Sequence, residues 1–479
     1  MKPSRPQHVV VIGGGMAGLA AAEALLSEAQ PPAACRVTVI EPSGHVGGVL
    51  ATVRRAGWLI ERSADSFLAA RPEAVELVER LGLTGELIGI DPRVRRALVL
   101  HNGQTQAVPA GFRLLAPGQV RSILTTPLLS PAGRLRLLGE RFVRPRSTGV
   151  TDESLERFAL RRLGREAFER LVQPLAAGIW TADPARLSMA AACPEFFAME
   201  LRDGSLWAGE RRRSQSAGSS GQAAGARYGQ FLTLASGMET LPARLAESLA
   251  ERGVRFITAA ATGLWQRPDH GWEVKVNAAE PMPAVIEADA VILAVPAGTA
   301  ARLLRGMAAM LSDELAAIEY AGSTIVSLGF AREDVAHPLS AAGLVVPRRE
   351  GKRLLAISFS SQKFPGRAPL GSVLMRAFVG GALDPETAAL EDGRLVPLVL
   401  AELRDMLGVR GDPQIVQVDR WQSALPQYIV GHTARVARIQ SLIAKHRGLS
   451  VAGAAYEGVG IPQVIASGRS AAAAVLGQV

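Results

Sequence analysis

The chain has 479 residues, 48% of them hydrophobic and 20% charged, so it can bury the core of a globular protein of two or three domains. Its two cysteines, Cys35 and Cys193, form no C-x-x-C pair, which excludes a disulfide framework and suits a reducing compartment. The net charge of +9 comes without zinc-finger spacing, a ribonucleoprotein aromatic motif or a compact basic helix, so it points away from nucleic acid and toward an anionic surface or an acidic substrate.

Val9 to Ile12 is an apolar, β-branched stretch that predicts a buried parallel strand. It breaks into Gly13-Gly14-Gly15-Met16-Ala17-Gly18, spaced G-x-G-x-x-G, and then into a helical pattern from Leu19 to Leu26. Gly13 permits the tight turn, Gly15 lets backbone approach a pyrophosphate, and Gly18 lets the helix pack on the strand. The free N–H groups and dipole at that helix N-terminus favour the phosphates. Val37 to Ile40 predicts the second strand, ending in Glu41, whose carboxylate suits a ribose diol and favours NAD or FAD over NADP. His45-Val46-Gly47-Gly48-Val49 follows, and its adjacent glycines suit backbone lying along a cofactor that runs onward, as FAD does. The N-terminal apolar run is therefore read as the first strand of a nucleotide fold and not as a signal peptide. The most apolar later stretch, near 288–301, carries Asp289 and Pro296 and predicts no spanning helix.

Between Phe112 and Arg146, leucine pairs alternate with arginines, and Glu140 is the only acid. Two readings are open: an interfacial element with snorkelling arginines, or two ordinary surface helices. Ala208 to Gly229 predicts a solvated loop. Strands are expected at 254–258, 272–276 and 288–296. A last strand at Leu449–Ala452 leads through a glycine-rich turn into a helix from about Gln463 to Leu476. The nucleotide-binding unit is thus expected to be discontinuous, with the second turn presenting its helix N-terminus to the far end of the cofactor. There is no H-E-x-x-H, no His/Cys cluster and no G-x-S-x-G elbow, so no metal is expected. His432 is the histidine nearest a plausible site, and a structural role is its default. The hard chemistry falls to a bound cofactor, which points to redox.

Several further motifs carry a resemblance. Glu61-Arg62-Ser63-Ala64-Asp65-Ser66-Phe67 is similar to E-x-G-P-D/N-S-F, with Ser63 standing for Gly and Ala64 for Pro. Pro174 to Trp180, followed by Ala182-Asp183-Pro184 and Leu187-Ser188-Met189, is similar to P-x-x-S-G-I/V-Y-A-G-D-P-x-x-L-S. Gly229 to Leu241, Phe364-Pro365, Arg367-Ala368-Pro369, Phe378-Val379-Gly380-Gly381 and Arg420-Trp421 with Leu425-Pro426-Gln427-Tyr428 extend the match. Gly453 to Gln463 closes it, with Gly458-Val459-Gly460-Ile461-Pro462 at its centre. The chain resembles, through nearly its whole length, the FAD-dependent protoporphyrinogen and coproporphyrinogen oxidases of haem synthesis, within the amine-oxidase and phytoene-desaturase flavoprotein group.

The resemblance implies an α/β plus α+β architecture: a Rossmann-type FAD-binding domain, a mixed-sheet substrate domain and a helical membrane-associating part. The FAD domain would draw on 1–90, 230–300 and 416–479, the helical part on 91–210, a flexible loop on 211–229 and the substrate domain on 301–415. FAD is expected along Ile12, Gly13, Gly14, Gly15, Met16, Ala17, Gly18, Glu41, Pro42, Gly47, Gly48 and Val49. Ser63, Ala64, Asp65, Ser66, Trp421, Gly460, Ile461 and Pro462 complete the cofactor set. Ser63 is expected to take whatever backbone angle the family glycine supplies. Arg96 matches a propionate-binding arginine, Arg71 a basic position in one branch, Val345 and Phe378 positions that clamp the ring, and Gly178 a glycine beside it. The implied reaction converts protoporphyrinogen IX to protoporphyrin IX, with molecular oxygen as acceptor and hydrogen peroxide released. Coproporphyrinogen III is the alternative substrate, since the Gly460-Ile461-Pro462 spelling leans toward that branch. Implied partners are an anionic membrane surface on the cytoplasmic side, held peripherally, and a ferrochelatase that takes the product. An amine oxidase or carotenoid desaturase would betray itself by turning over a polyamine or phytoene. A non-catalytic flavin or porphyrin carrier would leave its flavin unbleached by porphyrinogen.

Overall fold

Five short strands form a parallel sheet in the order Arg255–Ile257, Cys35–Ile40, Gln7–Ile12, Ala290–Leu293 and Leu449–Val451 in the computed structural model, which describes residues 6–28, 35–216, 231–277 and 284–477. The strands are near-continuous apolar runs because both faces are covered. Val9 and Val11 face a layer that holds the helices Met16–Glu28 and Ile461–Leu476. Val10 and Ile12 face a three-stranded antiparallel sheet and the helix Ala297–Leu304. The sheet therefore gathers its strands from three distant parts of the chain, as expected. The first and last helices meet backbone to backbone, because a Cβ placed on Gly468 would lie 2.2 Å from the Ala17 carbonyl oxygen.

A second sheet has seven strands, in the order Ile415–Pro426, Tyr320–Ala331, Ser372–Gly380, Leu354–Ser358, Gly343–Val345, Ala97–His101 and Gln104–Ala107. It is mixed, with one parallel pair between Gly343–Val345 and Ala97–His101. The limits drawn from the sequence shift accordingly. Two strands come from the 91–210 segment, and the last strand runs past residue 415. The reason is period-two alternation: Leu98 and Leu100 pack into the core on one face, Ala97 and Val99 into the core on the other. One face of this sheet, with Val326, Leu328, Leu344, Met375, Ala377 and Val379, is sealed by the helix Asp392–Leu407. The opposite face carries Val345, Ala356, Phe378, Arg376, Ser327 and Asp419, which cross-strand registers place in neighbouring rows.

Helices between Val120 and Ser216 form a third layer with its own core. Here the sequence reading needs correction. Leu114, Leu115, Ile123, Leu128, Leu129 and Leu137 are buried, so most leucines of the basic window serve this core. Most of its arginines are used internally. Arg113 pairs with Glu195 and Glu210, Arg146 with Glu200 at 2.9 Å, and Arg134 and Arg136 donate to backbone carbonyls. Glu140, the single acid, is fully buried against the fully buried Arg162, which also faces Glu200. Val120, Leu124, Leu135 and Phe142 remain outward, beside exposed Arg121, Arg141 and Arg144. Among the described residues no helix is long and apolar enough to cross a membrane. The expected loop at 208–229 begins as helix, Leu206–Ser216, and its remainder from 217 lies outside the described residues. That helix lacks an apolar stripe and is held by charge: Arg212 pairs with Asp203 at 2.8 Å and Arg213 with Glu210 at 3.0 Å.

Candidate functional site

At the carboxyl end of the first strand, Gly13 has φ +111°, and a Cβ there would lie 2.3 Å from the Ala294 carbonyl oxygen. Only glycine closes this turn. A Cβ on Gly18 would lie 1.9 Å from the Gly13 carbonyl oxygen, which is the close packing of helix on turn that the spacing predicts. Gly15 differs, since a Cβ there meets nothing within 4 Å. Ile12, Met16 and Ala17 are buried around it. Open space thus lies in front of the helix N-terminus, which carries no acid in its first turn to oppose a phosphate. Glu41 is fixed beside it: its Oε2 accepts the Gly14 N–H at 2.8 Å and its Oε1 the Ser43 N–H at 3.1 Å. Pro42 follows, exposed. Gly47 donates to the Gly14 carbonyl at 2.8 Å, while Gly48 and Val49 stay exposed.

The segment Glu61–Phe67 lies across the second face of the seven-stranded sheet like a strap. Ser63 donates its hydroxyl to the Val49 carbonyl, joining the two loops expected at the cofactor. Ser63 is not among the residues of positive φ, so its side chain bonds the neighbouring loop at an ordinary backbone angle. Ala64 is exposed. Arg62 pairs with buried Asp419 at 2.6 Å, and Trp421 Nε1 donates to the Arg62 carbonyl at 2.7 Å. Asp65 accepts from Ser66 at 2.9 Å, from Lys363 Nζ at 2.7 Å, and faces Arg376 at 3.3 Å. Arg376 also donates to the Ser63 carbonyl. Burial pushes the Asp65 carboxyl up, but Lys363 and Arg376 outweigh it and hold the group well below the usual carboxylate range. Glu61, with weaker compensation, is pushed up by burial.

At the other end of the chain, Gly460 caps the helix Ile461–Leu476, whose first turn again holds no acid; Ile461 and Pro462 are buried there. A Cβ on Gly453, in the preceding loop, meets nothing within 4 Å. Tyr428 pins this loop, donating to the Ala454 carbonyl at 2.5 Å and accepting the Gly458 N–H at 2.8 Å. The Ser188 N–H donates to the Tyr428 carbonyl at 2.7 Å, so three motifs far apart in sequence hold one another. His432 stacks on Tyr428, and burial depresses its pKa. Two open glycine cradles, two uncompensated helix N-termini and a fixed acid together fit a dinucleotide that reaches from one chain end to the other.

Of the residues expected at the substrate, three converge. A Cβ on Gly178, in the helix Gln173–Trp180, would lie 3.7 Å from Val345 and 4.0 Å from Ala356. Ala356 pairs in register with both Val345 and Phe378. Arg96 is not brought in. It is exposed and donates to the Ser340 carbonyl at 2.7 Å and hydroxyl at 2.8 Å. It directly precedes Ala97, which shares a face with Val345, so alternation turns Arg96 to the other face. Arg71 sits exposed at the N-cap of the helix Pro72–Arg80. Sequence reasoning passed over Lys363, Arg376 and Tyr428 as individual site residues. The available signal was that Arg376 stands two residues before Phe378 on one strand, hence on its face.

A family model described as flavin containing amine oxidoreductase matches residues 16–476. The chain is 32% identical to the coproporphyrinogen III oxidase of Bacillus subtilis (strain 168), over 97% of each chain. It is 30% identical to the chloroplastic protoporphyrinogen oxidase 1 of Arabidopsis thaliana, over 88% of this chain and 79% of that one. A crystal structure from Exiguobacterium sp. 255-15, assigned as a protoporphyrinogen oxidase, superposes with a TM-score of 0.85 at 28% identity, over 99% of both chains.

Proposed function

The chain belongs to the flavin-containing amine oxidoreductase family, and from that premise we propose that this FAD-dependent oxidoreductase converts a porphyrinogen into the corresponding porphyrin of haem synthesis. The observation that carries the substrate reading is the meeting of Gly178, Val345, Ala356 and Phe378 in one apolar patch on the strap side of the sheet. A flat tetrapyrrole can lay its apolar ring against such a patch, with its carboxylates reaching outward. FAD held along Gly13 to Gly18, Glu41 and the Gly460 helix N-terminus would supply a hydride acceptor that molecular oxygen can reoxidise, with release of hydrogen peroxide. Gly178 keeps the patch free of a protruding side chain, while Val345 and Phe378 limit the tilt of a ring laid against it, so that a meso carbon is presented in one orientation. The gain of aromaticity drives each round, and the patch residues need supply no acid or base.

Protoporphyrinogen IX is the substrate of this reading. Coproporphyrinogen III is the second, favoured by the Bacillus relative's name and by the placement of Arg96 on Ser340, away from the apolar patch. Turnover of both porphyrinogens, followed by porphyrin fluorescence, decides between them, and absence of turnover with either overturns the proposal. The same reading holds the protein peripherally at an anionic membrane through Val120, Leu124, Leu135 and Phe142 with Arg121, Arg141 and Arg144. It also passes the porphyrin to a ferrochelatase. Flotation with anionic vesicles tests the membrane contact: the wild type should co-float and Phe142→Ser should not.

A further inference from the structure

The strap and the sheet beneath it enclose a charge imbalance. Arg62, Lys363, Arg367 and Arg376 face Glu61, Asp65 and Asp419, four cations to three carboxylates. Two of the pairs balance locally: Arg62 with Asp419 at 2.6 Å, and Arg367 with Glu61 at 3.8 Å. The surplus falls on the third group, where Asp65 stands against both Lys363 and Arg376. Both cations are buried, Lys363 at 8% exposure and Arg376 at 1%. Arg376 Nε has no hydrogen-bond partner among the described residues. A buried cation without its full complement of anions is costly, and a packed protein interior has no structural need of it. Its place gives it a use, since Arg376 holds the Ser63 carbonyl and lies 5.4 Å from the Phe378 ring.

We propose that Asp65, Lys363 and Arg376 form an electrostatic tuning element for the flavin, whose one surplus positive charge favours negative charge arriving on the flavin ring. This rests on the reading that Arg62–Ser66 lies against that ring. Loss of a hydride from a meso carbon moves one hydrogen nucleus with two electrons. The acceptor gains one negative charge, and the macrocycle is left with one positive charge, which a pyrrole nitrogen relieves by releasing a proton to solvent. A fixed cation in a poorly solvated site lowers the cost of that charge separation, and it needs no reorganisation to do so. Lys363 and Arg376 are positioning residues in this scheme, acting on the ring's electron affinity through space.

The test uses sulfite, which adds negative charge to an oxidised flavin, together with the flavin midpoint potential of each holoenzyme. Lys363→Met removes the surplus and should weaken sulfite binding by about tenfold, the scale of one charge felt across a partly buried site, with a lower potential. Asp65→Asn enlarges the surplus and should move both readouts the opposite way. Lys363→Arg keeps the charge and should stay near wild type. A merely structural cluster would move Lys363→Met and Asp65→Asn in the same direction, and that result, or no movement in either, overturns the proposal. A raised KM for porphyrinogen in Lys363→Met with unchanged sulfite affinity would assign the charge to a substrate carboxylate and also overturn it. Wild-type protein that takes up no FAD would refute the cofactor reading itself, a failure distinct from these.

Discussion

The two faces of the seven-stranded sheet are made by the same strands and obey opposite rules. On one, Val326, Leu328, Leu344, Met375, Ala377 and Val379 are sealed beneath the helix Asp392–Leu407 by area alone. On the other, one residue out of phase, Arg376, Ser327 and Asp419 are as deeply buried but are covered by a polar strap. The difference teaches that burial by itself does not mark a core. The first face can exchange one apolar side chain for another at modest cost, whereas the second holds charges whose removal leaves a partner stranded.

Breaking the polar face should have the largest effect. Asp65→Leu leaves Lys363 and Arg376 buried with no carboxylate between them. Losses of about 3–5 kcal/mol are typical of such a broken buried pair, and denaturant unfolding of the apoprotein should read it. Leu344→Ala on the apolar face should cost about 2–5 kcal/mol in the same measurement. The two differ in the flavin spectrum, which Asp65→Leu should alter and Leu344→Ala should leave intact.

Gly178→Val sharpens the comparison at the apolar end of the second face. Its side chain would press on Val345, because a Cβ alone already comes to 3.7 Å from that buried residue. Overpacking should cost about 1–3 kcal/mol of stability, and KM should rise by roughly tenfold, equivalent to about 1.4 kcal/mol, while FAD affinity holds.

Acid provides a smaller, signed effect. The Asp65 carboxyl is held low in the folded state, so its contribution to stability is present above the ordinary aspartate value of about 3.9 and is lost as pH falls through the depressed folded value. Asp65→Asn should flatten that part of the acid-unfolding curve. The smallest effect belongs to Arg96→Ala. With its guanidinium on Ser340 and turned from the face of Val345 and Phe378, KM for porphyrinogen should stay within about twofold of wild type.

Much of the cofactor half was legible from sequence, because its chemistry is local. The turn at Gly13 to Gly18, the acid at Glu41 and the capped final helix each announce themselves within a few residues. The meeting of Gly178, Val345 and Phe378 was legible only through resemblance: they come from three distant segments, and no spacing links them. Arg96 lies apart from them, and a run of three arginines does not reveal which alternate position faces inward until the strand partner is known. The buried part of the basic window was hidden for a related reason. Glu140 reads only as the single acid of that window until Arg162 and Glu200 are folded onto it.

Gly468 has a temporal consequence. The helix that clasps Ala17 leaves the ribosome long after the opening loop does, so that loop waits, with its dinucleotide cradle half built, while the intervening chain is made. A polypeptide interrupted before residue 461 would emerge with a nearly complete sheet and only the first half of that cradle, which makes yellow colour a report that synthesis has passed this helix.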